Sequence, residues 1–122
     1  MISAVVLDAN ALLMPFQFKI HLDRELKRLF GEILVLVPSS VIDELSNIHD
    51  KHAKAAMALA KKYSVVETSM RGDDAVLSVA RDRSAAVLTN DRELISRLRA
   101  ENIPVVRLRS GRYLIFSPHG IE

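Results

Sequence analysis

The chain alternates short apolar runs with stretches in which apolar residues recur every three to four positions. The runs are Ala4 to Leu7, Ile33 to Val37, Ser64 to Glu67, Ala85 to Leu88 and Pro104 to Leu108. Near-continuous apolar runs this short suit strands buried on both faces, as in a parallel sheet. Helical patterns lie between them. Leu22, Leu26, Leu29 and Phe30 share one stripe, and Ile42, Leu45 and Ile48 share another, after Ser39 and Ser40 as candidate caps. Ala53, Ala56, Met57 and Ala60 form a third, with Lys54, Lys61 and Lys62 on the other side. Ala75, Val76, Val79 and Ala80 follow Asp73 and Asp74, and Leu94, Ile95 and Leu98 follow Asn90 and Asp91. This alternation predicts an α/β sandwich around a parallel sheet. The stretch Arg107 to Phe116 breaks it. Two short strands around Ser110-Gly111 predict a hairpin there.

Composition narrows the function classes. With 122 residues, of which 49% are hydrophobic and 26% charged, the chain reads as one globular domain, residues 1–122, able to bury a sizeable core. No apolar run approaches the roughly 18 residues that a membrane span needs. The segment MISAVVLDAN lacks the basic start and small-residue cleavage site of a signal peptide, so the cytoplasm is the default location. Without cysteine, the chain offers no disulfide, zinc-thiolate site or cysteine nucleophile. Gly31, Gly72, Gly111 and Gly120 are the only glycines, and no phosphate-cradling loop can be built from them. His21, His49, His52 and His119 show no metal-ligand spacing. Net charge is +2, but Arg92, Arg97, Arg99, Arg107, Arg109 and Arg112 crowd the last third. They form either a solvated face or a surface for a polyanion.

The acids carry the chemistry. Asp8 ends the first predicted strand. Glu44 lies about one turn into the helix after the second. Asp74 opens the helix after the third strand, and Asp91 follows the fourth. In an open parallel sheet the carboxyl ends of the strands share one edge, where ligands bind. Residues far apart in sequence therefore meet. Each has an ordinary explanation as a helix cap, a turn residue or a solvated side chain. Caps alone do not explain a matching acid at the end of a buried strand. Repulsion among four carboxylates calls for a cation, and an all-oxygen donor set favours Mg²⁺ or Mn²⁺. Asn10, Thr89 and Asn90 are placed to orient the carboxylates or a metal-bound water. Asp73 competes with Asp74 for the third position; Leu77 and Ala80 favour Asp74 as the inward residue.

At these positions the sequence resembles PIN-domain nucleases. VVLDANALL, VPSSVIDEL, GDDAVLSVA and VLTNDREL look like the family's four motifs in order, and the likeness runs from Val5 to about Leu108. It implies a three-layer fold with a parallel five-stranded sheet in the order 3-2-1-4-5, flanked by helices. It implies Mg²⁺- or Mn²⁺-dependent cleavage of single-stranded RNA by Asp8, Glu44, Asp74 and Asp91, and frequent homodimers. Asp8, Asp74 and Asp91, with Asp73 as the alternative, would hold one or two ions. MPFQFK and the basic hairpin look closest to archaeal proteins similar to ribosome-biogenesis PIN nucleases, and less like VapBC toxin ribonucleases. The partner implied is accordingly a ribosomal precursor particle or an antitoxin. Arg92, Arg107, Arg109 and Arg112 would hold the RNA backbone. Two rival readings follow from the residues. One is a non-catalytic RNA-binding or scaffold module on the same fold. The other is a phospho-acceptor receiver domain, disfavoured because Glu67-Thr68-Ser69 stands where its central aspartate belongs and Arg107 where its lysine does.

Overall fold

The apolar runs form the strands they predict. In the computed structural model, which describes residues 2–118, β1 (Ala4–Leu7) is buried throughout and sits in the middle of the sheet. His119 and Gly120 lie outside the described residues. β2 (Leu34–Pro38), β3 (Ser64–Val66), β4 (Ala86–Leu88) and β5 (Val105–Arg109) run parallel to β1. β6 (Tyr113–Ser117) lies antiparallel on β5, with Arg109 opposite Tyr113 and Leu108 opposite Leu114. The order is β3-β2-β1-β4-β5-β6. The predicted order 3-2-1-4-5 therefore holds, and the second strand of the hairpin extends the sheet to six strands.

Six helices cover the sheet among the described residues: α1 (Ala9–Phe18), α2 (Leu22–Phe30), α3 (Ser39–Ser46), α4 (Ala53–Ala60), α5 (Gly72–Arg83) and α6 (Arg92–Ala100). α5 packs across β1, β2 and β4, α6 lies on β5, and α2 reaches β6. Leu7, Leu12, Leu36, Leu77, Leu88, Leu98 and Leu114 are fully buried between these layers. Among the described residues no helix is long and apolar enough to cross a membrane.

Two local features differ from the sequence reading. α1 was not predicted, because ANALLMPFQF has no polar face and carries Pro15 inside the helix. Burial of Ala9 and Ala11–Met14 offsets the lost backbone bond. Ser39 and Ser40 do not cap α3. Pro38 holds the N-cap position without a side-chain bond, and Ser39 Oγ instead accepts from Thr68 N at 3.1 Å, tying down the chain after β3.

Side chains finish the sheet where backbone runs out. β4 stops at Leu88, yet the Asn90 amide continues its ladder: Leu108 N donates to Asn90 Oδ1 at 2.8 Å and Asn90 Nδ2 donates to Leu108 O at 3.1 Å. On the far side of β6, Leu114 N donates to Glu25 Oε1 at 2.8 Å and Arg28 Nη2 donates to Leu114 O at 2.7 Å. The β5–β6 turn closes with Arg112 N donating to Arg109 O at 3.1 Å. Ser110 (φ 57°) and Gly111 (φ 63°) both have the positive φ of a type I′ turn. A Cβ on residue 111 would also sit 3.0 Å from the Phe18 ring, tighter than ordinary contact.

Candidate active site

Parallel strands deliver their carboxyl ends to one edge, and the loop after β1 begins there with Asp8. Its backbone is extended and its carboxylate caps α1: Oδ1 accepts from Ala11 N at 2.7 Å. Thr89, just beyond β4, donates its hydroxyl to Asp8 Oδ2. The same hydroxyl accepts from Asp91 N at 3.0 Å, so one buried threonine ties two acids together. Asp91 caps α6 by accepting from Leu94 N at 3.0 Å. Asn10 accepts from Asn90 N at 2.9 Å and holds the start of α1 against the end of β4. Asn10, Thr89 and Asn90 thus stitch the strand ends on which the acids stand.

The acids interact in a closed ring. Asp8 is repelled by Asp91 and Glu44, Glu44 by Asp73, and Asp73 by Asp91. Asp8 is only 8% exposed, and burial, more than these charges, pushes its carboxyl up to about 7 despite the bonds from Thr89 and Ala11. Glu44 is raised by partial loss of hydration and then by Asp73. Asp73 is raised by burial and then by Asp91, against the lowering effect of Arg97.

At the third position the structure places the two candidates differently. Asp73 belongs to the ring, whereas Asp74, with its side chain 60% exposed, pairs with Arg97 Nη2 at 2.7 Å. The reason is helical phase. Counting three, four and seven from Asp73 reaches Val76, Leu77 and Ala80, all buried; the same steps from Asp74 reach the buried Leu77 but then the part-buried Ser78 and the exposed Arg81. Sequence reasoning also missed Glu93, whose charge acts on Asp73 from the first turn of α6.

Whether this donor set fits a divalent cation is a question of chemistry and of reach. All the donors are oxygens, and burial, with mutual repulsion added to it, holds three of the carboxyls above their ordinary values, a condition that a cation relieves. Ser40 Oγ adds a second mark. It is buried and has no hydrogen-bond partner among the described residues, and it lines a small hollow with Glu44, Asn47, Arg71 and Gly72. Among the described residues no three acidic or imidazole side chains already stand in a metal cage. A cation would be held there only with the exposed Glu44 and Asp91 side chains and the part-buried Asp73 turned toward Asp8. The set fits on those terms.

Basic residues border the acids. Arg92, Ile95, Ser96 and Arg99 on one face of α6 line a pocket with Arg107 of β5. Arg109 is exposed at the end of the same strand, and Arg112 is exposed in the turn beyond it.

Residues 5–111 match the family described as PIN like domain. The chain belongs to this PIN-like family. Over 121 residues it is 33% identical to ribonuclease VapC4 of Methanocaldococcus jannaschii, covering 89% of this chain and 92% of that protein. It is 27% identical over 118 residues to ribonuclease VapC9 of Archaeoglobus fulgidus, covering 91% and 87%. Among solved structures, the PIN domain endonuclease Utp24 superposes with a TM-score of 0.82 at 22% identity, over 94% of this chain and 91% of that one. A domain of a functionally unknown Methanocaldococcus jannaschii protein gives a TM-score of 0.64 at 14% identity, over 88% and 92%. Membership of the PIN-like family sets aside the receiver-domain reading.

Proposed function

We propose that this PIN-like chain is a divalent-metal-dependent endoribonuclease that hydrolyses phosphodiester bonds in single-stranded RNA. The ring of Asp8, Glu44, Asp73 and Asp91 around the buried Asp8 carboxyl carries the reading. Its likeness to two proteins named ribonuclease supports RNA as the substrate. Asp8, Asp73 and Asp91 would hold Mg²⁺ or Mn²⁺, which supplies charge stabilisation at phosphorus and a more acidic water. Thr89 and the α1 backbone fix Asp8, so one ligand position is set before substrate arrives. Glu44, more basic than a free glutamate, positions the attacking water and takes its proton at Oε. Water oxygen bonds to phosphorus as the bond to one ester oxygen breaks; that oxygen leaves as an alcohol after taking a proton from solvent, and Glu44 returns its own proton to solvent. Arg92, Arg107, Arg109 and Arg112 neutralise the phosphates on either side. By the same resemblance the partners would be an antitoxin or a ribosomal precursor particle, and a second copy of the chain.

The test is cleavage of single-stranded RNA in Mn²⁺, with and without EDTA, by the wild-type protein and by Asp8→Asn. Turnover in Mn²⁺ alone, lost in the variant, is the expected result. Cleavage that survives EDTA or the substitution overturns the metal mechanism. RNA binding without turnover returns the scaffold reading.

A further inference from the structure

Arg109 and Tyr113 are directly opposed across the β5–β6 hairpin, as are Arg107 and Ile115. Opposed residues of an antiparallel pair share a face, so Arg107, Arg109 and Tyr113 project from the same side of the sheet. That side is the one on which α6 lies, because Arg107 lines the pocket with Arg92, Ser96 and Arg99. On α6, Arg92, Ser96 and Arg99 are four and three residues apart and form one stripe. The stripe begins one residue after Asp91, at the acids. Arg99 lies near the far end of α6, whereas Arg109 ends β5 on the carboxyl edge where the acids stand. A basic track therefore climbs from Arg99 past Arg107 to Arg109, and Tyr113 stands at its upper end.

Among the described residues, three of the arginines here are not held by ion pairs within the fold. Arg28, Arg81 and Arg97 have carboxylate partners. Among the described residues no ion pair engages Arg92, Arg99 or Arg109. Burial, then Arg99 and Arg109, lowers the Arg107 guanidinium, which marks a cluster of like charge that polyanion binding would relieve. Tyr113 is 41% exposed, although the rest of β6 packs inward at Leu114 and Ser117. A large ring on an edge strand gains little there from burial, but it presents a flat face. Arg107 and Arg109 stand about 6.6 Å apart along the strand, close to the spacing of successive phosphates in an extended single strand. The Asn90 amide holds Leu108 between them and fixes this spacing to the end of β4. Phe18 braces the turn from beneath, at Gly111.

We propose that Arg99, Arg107 and Arg109 form a phosphate track running up the α6 face of the sheet to the edge that carries the carboxylates, and that a base of the single-stranded RNA stacks on Tyr113 at its upper end. The proposal rests on the ribonuclease reading and adds to it a direction for the strand and a site of base contact. A stacked base is sequence-tolerant and needs a single strand, because a paired base keeps its faces within its own helix. Arginines supply the salt-dependent part of binding, and Tyr113 supplies the part that salt leaves alone.

The experiment measures binding in EDTA with a single-stranded RNA carrying 2-aminopurine, and with the same strand made abasic at successive positions. With wild-type protein, one abasic position weakens binding about tenfold, and 2-aminopurine at that position is quenched on binding. Tyr113→Ala loses the same factor, shows no quenching, and no longer responds to the abasic site. Tyr113→Phe behaves as wild type. Arg109→Ala lowers the slope of log affinity against log salt by about one and leaves the abasic effect intact. No abasic position with an effect in the wild-type protein, or Tyr113→Phe as weak as Tyr113→Ala, overturns the proposal. The wild-type abasic series needs no variant to fold. Cleavage in Mn²⁺ without a Tyr113 effect sinks the track and spares the ribonuclease. Quenching at Tyr113 without cleavage does the reverse.

Discussion

Asp8→Asn should make the metal-free protein more stable at neutral pH. The wild-type carboxyl moves from 3.8 to about 7 on folding, chiefly because burial disfavours its charged form. Three units at 1.36 kcal/mol each give about 4 kcal/mol. The native state binds this proton more tightly than the unfolded chain does. Its favourable contribution is therefore complete below pH 3.8 and is lost as pH rises to about 7. Asparagine resembles the protonated acid at every pH and escapes the loss. It can still accept from Ala11 N, since Asn caps helices as well as Asp. Thr89, however, loses the acceptor for its hydroxyl hydrogen, at about 1 kcal/mol. The net expectation is equal stability near pH 4 and an advantage of about 3 kcal/mol for the variant at pH 8. Urea unfolding in EDTA at the two pH values measures it. Saturating Mn²⁺ should reverse the order, because only the wild type keeps the anchored ligand. A variant less stable than wild type at pH 8, or a difference that does not change with pH, would refute the account of a buried charge awaiting its counter-ion.

Other outcomes separate neighbouring residues. Asp73→Asn should reduce Mn²⁺-dependent cleavage about 100-fold, while Asp74→Asn, which breaks an exposed pair with Arg97, should stay within about fivefold; the reverse pattern in a cleavage assay restores Asp74 to the site. Asn90→Ala removes both bonds to Leu108 and should lower unfolding free energy by about 2 kcal/mol in urea titration; a loss below about 0.5 kcal/mol means water replaces the amide at no penalty. Ser40→Ala should raise metal-free stability by up to about 1 kcal/mol, since it removes a buried hydroxyl with no partner among the described residues. A comparable loss in thermal unfolding would show that the hydroxyl is bonded.

The parts of the fold that follow from periodicity were legible in the sequence. Val5, Val6 and Leu7, or Ala86, Val87 and Leu88, can only be strands buried on both faces, and the acids after them must then share an edge. Asp91 announces a helix by capping it. α1 was illegible because its sequence is apolar on every side and breaks the proline rule; only the surrounding helices and sheet supply a reason to be helical. The choice between Asp73 and Asp74 turned on where α5 begins. Gly72 opens it from Arg71, and from there the stripe Val76-Leu77-Ala80 does point to Asp73. Tyr113 was illegible as a contact because its face depends on the register Arg109↔Tyr113, which the turn fixes and composition does not.

The side-chain closure of β6 bears on how the molecule keeps to itself. A sheet can recruit further strands only through unpaired backbone, and such recruitment is how folded proteins seed fibres. At one end β3 is three residues long and offers little to copy. At the other, Glu25 and Arg28 occupy the Leu114 N–H and carbonyl that an incoming strand would need. Arg28 holds the Glu25 carboxyl below its ordinary range, so the lock withstands mild acid and yields only when Glu25 takes a proton. Strong acid, or Arg28→Ala at milder pH, should then turn a closed sheet edge into a template, visible as a rise in light scattering with growing β content. Two residues of α2, neither of them among the acids, thus close this edge of the sheet at Leu114.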